Sequence, residues 1–166
     1  MKSIKSLLIP LPVALTLITG SAYAEESVSD LKAKIEKLEA QVAAHKAERL
    51  QTKHHLETFD ELDLVAFNSR DMERIGEIHA DNVIVHNPDG TKTSPFKPHS
   101  EELDFLFDTF DFKVTDHIVG FGFGEWTAGI SISEGRWVKP LPLKDGSFLK
   151  PTNKKVRLKI ATIARW

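Results

Sequence analysis

The side chains best suited to chemistry are histidines, and two of them stand in one short segment, "HADNVIVHNPDG" (residues 79–90). An imidazole titrates near neutral pH, so it can take or give a proton during catalysis. His86 ends an apolar run on the same face as Ile84, and we predict it as the base or donor of a reactive site; a surface or capping role is the alternative. His79 either joins that site or anchors a helix-to-strand connection. His117 is the third candidate, with a hydrogen-bonded core histidine as its alternative.

Aromatic side chains that could line a binding site are frequent in the second half of the chain. Residues 113–123 alternate with a period of two, which predicts a strand with His117, Val119, Phe121 and Phe123 on one face. If that face is concave, these side chains enter a pocket. Core packing is the alternative, and stacking on a flat apolar ligand is the functional interpretation. The predicted ligand-contacting residues are Phe110, Phe121, Phe123, Trp126 and Trp137.

Composition excludes several kinds of site. Cysteine is absent, which removes disulfides, thiolate metal sites and cysteine nucleophiles. The formal net charge of -2 gives no electrostatic footprint for nucleic acid. His54 and His55 are adjacent and point apart on a helix, and no spaced histidine pair suggests a metal site. No glycine-rich phosphate loop or serine nucleophile elbow is present. We therefore predict neither a metal nor a cofactor.

The first 24 residues have the order of a secretory signal peptide. Lys2 and Lys5 precede a short apolar run, and a small-residue site ends at Ala24. The run is too short to span a bilayer and is interrupted by prolines. We predict cleavage after Ala24 and a secreted or periplasmic protein with no membrane attachment after cleavage; a retained anchor is the alternative.

Residues 25–53 are predicted to form an N-terminal amphipathic helix. Apolar residues follow a heptad pattern, and Lys34 and Glu39 suit an ion pair between helices. This pattern favours a coiled coil and a homo-oligomer, although a helix lying on the domain is the alternative. The heptad residues are Val28, Leu31, Ile35, Leu38 and Val42.

Residues 54–166 are predicted to form an α+β domain. An apolar helical stripe covers 54–69, and a short helix follows that carries Met72 and Ile78. A strand at 82–86 ends in the turn at 87–90, and a loop covers 91–99. A third helix opens at Ser100, and long antiparallel strands follow. Gly120 and Gly122 fall on one strand face and leave room for close packing. A sheet of this kind that curls around helices would enclose a cavity.

Three stretches carry a resemblance to a known family: "HADNVIVHNPDG", "GFGFGEWTAGISISEGRWVKPLP" and "KPTNKKVRLKIATIARW". They are similar to the SnoaL-like polyketide cyclase, or ester cyclase, group of the NTF2-like superfamily. The resemblance covers about residues 56–166. It implies a cone of curved antiparallel sheet wrapped on helices, a deep apolar pocket, cofactor-free acid–base chemistry such as ring closure, and frequent dimers.

Two features depart from that family. Trp137 stands where members often carry the histidine of a Gly-x-His segment. The sequence ends at Trp166, whereas members usually continue into a strand that bears a catalytic carboxylate. We therefore expect the domain at 54–166 to lack its last strand.

Two functions remain open from the sequence. The first is an exported protein that binds a small apolar molecule and acts as a cofactor-free cyclase or isomerase, with His86 as base or donor and Trp126 and Trp137 shaping the cavity. The second is a non-catalytic periplasmic binding or oligomeric assembly module joined through the N-terminal helix.

Overall fold

The computed structural model describes residues 27–166. Residue contacts divide the chain into two units, 1–39 and 40–166. The predicted signal peptide, residues 1–24, lies outside the described residues. The elements are α1 (Val28–Glu61), a π-helix (Leu62–Phe67), α2 (Met72–Ile78), β1 (Val85–His86), β2 (Lys92–Thr93), α3 (Phe96–Thr109), β3 (Phe110–Phe123), β4 (Trp126–Trp137), β5 (Leu141–Pro142), β6 (Phe148–Leu149) and β7 (Lys155–Arg165).

Helix α1 joins what the sequence suggested as two helices, because neither proline nor glycine interrupts residues 28–61. Ser27 caps its start: the Ser27 hydroxyl accepts from the Asp30 N–H, and the Asp30 carboxylate accepts from the Ser27 N–H. The five heptad residues are exposed on this helix. Their predicted role in a coiled coil is untested. None of the helices within residues 27–166 has the length and hydropathy that a membrane crossing requires.

The π-helix, α2 and α3 enclose a small apolar core. Ala66, Ile75 and Phe107 are buried there. The Asp71 carboxylate starts α2 by accepting from the Arg74 N–H. The partly buried side chains around this core are Leu62, Phe67, Met72, Phe96 and Leu103.

The first hairpin is shorter than the predicted strand at 82–86. Only Val85 and His86 are paired in β1, and they face Thr93 and Lys92 across an antiparallel turn. The loop predicted for 91–99 therefore contains a strand. Helix α3 also begins earlier than Ser100, at Phe96, because Pro95 already has a backbone angle suited to the position before a helix.

The long strands form an antiparallel sheet in the order β3-β4-β7. The part of helix α1 from residue 40 onward lies over one face of it, which we call the helix face. A Cβ added to Gly129 would lie 2.7 Å from the Phe59 ring, and one added to Gly122 would lie 2.8 Å from the Thr52 side chain. Glycine permits this close approach, as predicted for Gly122, whereas a Cβ at Gly120 would make only an ordinary contact with Leu56 at 3.9 Å. The α+β class is thus confirmed, and β5 and β6 add a separate two-stranded hairpin.

Candidate functional site

Two irregularities in β3 decide where His117 points. The register with β4 shifts between Val114 and Asp116, and again between His117 and Val119. Each shift breaks the period-two alternation, so His117 lies on the helix face, opposite Ser131 of β4. The expectation that His117 shares a face with Val119, Phe121 and Phe123 was wrong, because the bulge between His117 and Val119 reverses the alternation.

His117 lies between two aspartates of the helical layer. Its Nδ1 is 2.6 Å from Asp60 Oδ1, and its Nε2 is 3.0 Å from Asp63 Oδ2. The side chains of His117 and Asp63 are 9% and 20% exposed, whereas that of Asp60 is 58% exposed. An ionised carboxylate only accepts hydrogen bonds, so two carboxylates on one imidazole require N–H donors at both ring positions. The arrangement therefore favours an imidazolium between two carboxylates.

The helical layer brings both aspartates to the same imidazole. Asp60 lies in the last turn of α1 and Asp63 lies three residues later in the π-helix, so their side chains share a face. Insertions of π-helix are rare and are frequent at functional sites. The Phe59 ring stacks on the His117 ring with 5.1 Å between centroids. Phe59 is buried, so it fixes the plane of the imidazole.

Asn68 joins the end of the π-helix to β3. Its Oδ1 accepts from the Val114 N–H at 2.8 Å, and its Nδ2 donates to the Val114 carbonyl at 2.7 Å. Val114 is the residue at which the first register shift begins. One side-chain amide thus satisfies both backbone groups of a residue in an irregular part of the strand. This contact holds the strand three residues before His117 against the helix that carries Asp63.

The pKa values of His117 and Asp63 are both shifted upward. Burial raises the pKa of Asp63, and the hydrogen bond and charge of His117 oppose that effect only in part. Burial by itself lowers the pKa of His117, but the hydrogen bonds from Asp60 and Asp63 outweigh it, so the pKa of His117 is raised. The His117 imidazole therefore stays charged to a higher pH than an ordinary histidine. The Asp63 carboxyl likewise stays protonated to a higher pH than a solvated aspartate.

The raised pKa of His117 makes stability depend on pH. A group whose pKa is higher in the folded state stabilises the fold fully below its unfolded pKa, and this contribution is lost as the pH rises through the folded pKa. We expect wild type to be about 2 kcal/mol more stable than His117→Gln at pH 5.5, and this difference to shrink by pH 9. Urea unfolding at both pH values measures it. His86→Gln, at an exposed position, controls for loss of an imidazole, and an equal difference at both pH values would refute the charged state.

His79 lies near this cluster but is not hydrogen-bonded to it. Its Nδ1 is 2.8 Å from the Ile75 carbonyl oxygen, which requires a proton on Nδ1 and leaves Nε2 for another partner. The charge of His79 is the weakest of the effects that act on the pKa of Asp63. The His79 ring also lies 5.4 Å from that of His99, between centroids. The structure thus places His79 at the end of α2, where its contacts are with Ile75, Phe96 and His99.

His99 belongs to a neighbouring polar group. Burial lowers the pKa of His99, the charge of His79 lowers it further, and Glu102 opposes both effects. The Glu102 carboxylate accepts from the buried Thr93 hydroxyl at 2.6 Å. Within residues 27–166, no group of three or more histidine, aspartate or glutamate side chains converges closely enough to hold a metal ion.

His86 is not part of the cluster. It lies at the end of a two-residue strand, is exposed, and pairs with Lys92 in the hairpin register. Within the described residues it makes no side-chain hydrogen bond or ion pair. The hairpin exposes His86 to solvent, which fits the surface role stated as its alternative, and its role as base or donor stays a prediction. The structure brings together His117, Asp60 and Asp63.

The five predicted aromatic residues fall on two faces. Phe121, Phe123 and Trp126 are exposed on the face opposite the helix face. Their predicted place in the cavity is therefore corrected, since the residues that face α1 in this part of the sheet are Gly120, Gly122 and Thr127. Phe110 and Trp137 pair across β3 and β4 on the helix face, and their rings are 6.5 Å apart.

A cavity of about 520 Å³ lies elsewhere, where the end of α3 meets the β5–β6 hairpin. Phe105, Phe148 and Lys150 contribute to its wall, and Lys139 in the wall pairs with Asp108. His117, Asp60 and Asp63 are not among its lining residues. The aspartate–histidine cluster therefore stands on the helix face of the sheet, outside this cavity.

The sequence-based reasoning did not identify Asp60, Asp63 or Asn68. A usable signal was present in "LDLVAF", residues 62–67, where a carboxylate is embedded in an apolar run. An acidic residue at such a position either breaks the core or is paired there. The i, i+3 spacing of Asp60 and Asp63 was a second signal for two carboxylates that share one partner.

Comparisons with known proteins agree with the fold. Neither a family model nor a curated protein matches the chain. Among solved structures, it is similar to a "putative polyketide cyclase" from Xanthomonas campestris pv. campestris, with 13% identity and a TM-score of 0.59 over 69% of this chain and 82% of that one. A "putative polyketide cyclase" from Pseudomonas putida KT2440 has 14% identity and a TM-score of 0.57 over 68% and 81%.

An LEH-like epoxide hydrolase from M. tuberculosis is also similar, with 9% identity and a TM-score of 0.54 over 70% of this chain and 75% of that one. Identities this low establish the fold and no more. The chain therefore has the α+β fold that these three structures share.

Proposed function

We propose that the protein is an acid–base catalyst of cyclase or isomerase type, which moves a proton on a small, largely apolar molecule. The observation that carries this proposal is the half-buried Asp63 carboxylate held by His117. Of the two carboxylate oxygens of Asp63, only Oδ2 has a hydrogen bond within the described residues. Oδ1 therefore remains for a substrate proton. A carboxylate with a raised pKa is a stronger base than a solvated one.

The other two members of the cluster support Asp63 in this role. His117 donates from Nε2 and orients the carboxylate, and its positive charge keeps Asp63 available in the ionised form. Asp60 accepts from Nδ1 and favours the charged imidazole. In many enzymes, a third group likewise orients the side chain that is hydrogen-bonded to the reacting group. Asp60 and His117 are positioning residues in this proposal.

The surface beside the cluster suits an apolar ligand. Ile160 of β7 is the cross-strand neighbour of Ser131, which in turn faces His117, and Leu158 is the neighbour of Ser133. Ile160 and Leu158 are both partly exposed on the helix face. A base set among apolar side chains gains strength because its charged form is poorly solvated. Two structural neighbours, each described as a "putative polyketide cyclase", have names compatible with this chemistry.

A proton-abstraction probe tests the proposal without knowledge of the natural substrate. 5-Nitrobenzisoxazole loses its ring proton to a base, its N–O bond breaks, and a coloured cyanophenolate forms. The protein should open this ring faster than an equal concentration of acetate at the same pH, because Asp63 is less solvated than acetate. A rate no faster than acetate at any pH would contradict a reactive base at this site.

A second proposed role is assembly, and the exposed heptad line favours it. Leu31, Ile35 and Leu38 repeat on one side of α1 and are 45%, 54% and 57% exposed. We propose that a second copy of the chain covers this line through parallel helix packing. The double variant Leu31→Asp with Leu38→Asp should at least halve the mass measured by sedimentation. Exposed Glu36→Gln is the matched control, and an unchanged mass of the double variant would contradict helix-mediated assembly.

A further inference from the structure

The cavity between α3 and the β5–β6 hairpin has apolar walls that remain in contact with water. Its volume of about 520 Å³ lies within the range of roughly 300–1,000 Å³ that is typical of small-molecule sites. Phe105 of α3 is 47% exposed, and Phe148 of β6 is 65% exposed. Pro140 adds a third apolar side chain to the wall. A ligand in this cavity would remove aromatic surface from water, which favours binding.

The chain that follows β4 is fixed to the end of α3 at this cavity. The Thr109 carbonyl oxygen accepts hydrogen bonds from the backbone N–H groups of Val138 and Lys139, at 3.0 and 3.2 Å. Thr109 itself is buried. The Trp137 indole N–H also donates to the Lys139 carbonyl. The segment that brings Lys139 and Pro140 into the wall is thus held by hydrogen bonds, so this part of the cavity is formed before a ligand binds.

The charged residues of the wall leave one cation without a partner. They are Asp108, Lys139 and Lys150. Lys139 pairs with Asp108, whereas Lys150 forms no hydrogen bond or ion pair within residues 27–166. Two lysines and one aspartate give the wall a net charge of +1. An ammonium group beside exposed phenyl rings suits a molecule that is both apolar and negatively charged.

We propose that this cavity is a second binding site, which takes a small carboxylate with an apolar body. The carboxylate pairs with the Lys150 ammonium group, and the apolar body lies against Phe105 and Phe148. The aspartate–histidine cluster contributes no residue to the wall, so the site is independent of the proposed acid–base function. That cluster also holds two carboxylates against one imidazolium, which disfavours an anion there.

Two probes of nearly the same shape test the role of charge: 2-naphthoate is an anion at neutral pH, and 2-naphthamide is neutral. Wild type should bind naphthoate about fivefold more tightly than naphthamide, which is the upper end for a solvent-exposed ion pair. Lys150→Met keeps the length of the side chain and removes its charge, so the two probes should then bind equally. Lys144→Met, in the exposed turn of the same hairpin, is the matched control and should keep the preference. Equilibrium dialysis measures each affinity.

Two further variants test whether the probe lies in this cavity. Asp108→Asn removes the partner of Lys139 and should tighten the binding of naphthoate about threefold, with naphthamide unaffected. Phe148→Ala removes part of the apolar wall and should weaken the binding of naphthoate about fivefold. Phe123→Ala is the matched control, because Phe123 is also exposed but lies on the face opposite the helix face, outside the cavity.

The outcomes separate this site from the acid–base proposal. Asp63→Asn should leave the affinity for naphthoate unchanged, because Asp63 lies outside the cavity. Equal binding of the two probes by wild type, or no binding of naphthoate, would overturn the anion site. A preference that survives Lys150→Met, or an unchanged affinity in Phe148→Ala, would overturn its position. None of these failures bears on the ring opening of 5-nitrobenzisoxazole, so that reaction tests the acid–base proposal by itself.

Discussion

Asp63→Asn should slow the ring opening of 5-nitrobenzisoxazole by at least about 100-fold, the lower end of what a positioned general base contributes. Asparagine has nearly the same shape and can still accept from His117 Nε2, so the hydrogen bond at 3.0 Å can persist. What is lost is the basic oxygen. The measurement is the rate of phenolate formation at saturating probe, alongside a thermal unfolding curve that shows that the variant is folded.

Two matched variants make this result specific. Asp104→Asn removes an exposed carboxylate from α3 and should leave the rate unchanged. Asp60→Asn removes the exposed member of the cluster and should have an intermediate effect, because Asp60 supports the charge of His117 and does not itself take the substrate proton. A rate for Asp63→Asn within twofold of wild type would assign the chemistry to another group.

The pH dependence of the ring-opening rate tests whether the pKa of Asp63 is raised or lowered. Asp63 acts as a base only when ionised, so the rate should rise with pH through the pKa of Asp63. Because burial raises the pKa of Asp63, the midpoint should lie above the ordinary aspartate range. The pH profile then reports on Asp63, and the stability of His117→Gln reports on His117, the two partners of one hydrogen bond.

Sequence patterns were sufficient for the class of fold and for several of its elements. The 3.6-residue stripe around Phe59 and the period-two run that ends at Phe123 both appear in the structure as helix and strand. The close packing at Gly122 was also predicted, since alternation put Gly120 and Gly122 on one face. These features depend on local periodicity, which a sequence displays directly.

The candidate site was harder to predict because it depends on departures from periodicity. One extra residue in a strand reverses the face of every side chain beyond it, and β3 contains two such shifts on either side of His117. The prediction therefore named His117 but gave it the wrong neighbours. Asp63 was overlooked since its partner is 54 residues away, and no local pattern links them. His86 was favoured for its place next to a strong turn, which is a backbone signal rather than a chemical one.

Asn68→Ala should destabilise the domain by about 3 kcal/mol and should also reduce the ring-opening rate. Truncation at Cβ removes the acceptor for the Val114 N–H and the donor for the Val114 carbonyl, and each partly buried group left unsatisfied costs about 1–3 kcal/mol. Urea unfolding gives the free energy. The matched control is Asn82→Ala, because Asn82 is an exposed turn residue.

The loss of stability and the loss of activity in Asn68→Ala should have the same cause. If Asn68 positions the bulge that aims His117, the folded variant should lose activity under conditions where it remains fully folded, and it should lose the pH-dependent part of the stability that His117 provides. A purely structural Asn68 would lower the unfolding free energy equally at pH 5.5 and pH 9 and leave the rate of the folded protein unchanged. The proposed acid–base function therefore requires the hydrogen bonds of Asn68 to the strand backbone as well as Asp63 itself, since a carboxylate is a useful base only when the imidazole beside it is held in place.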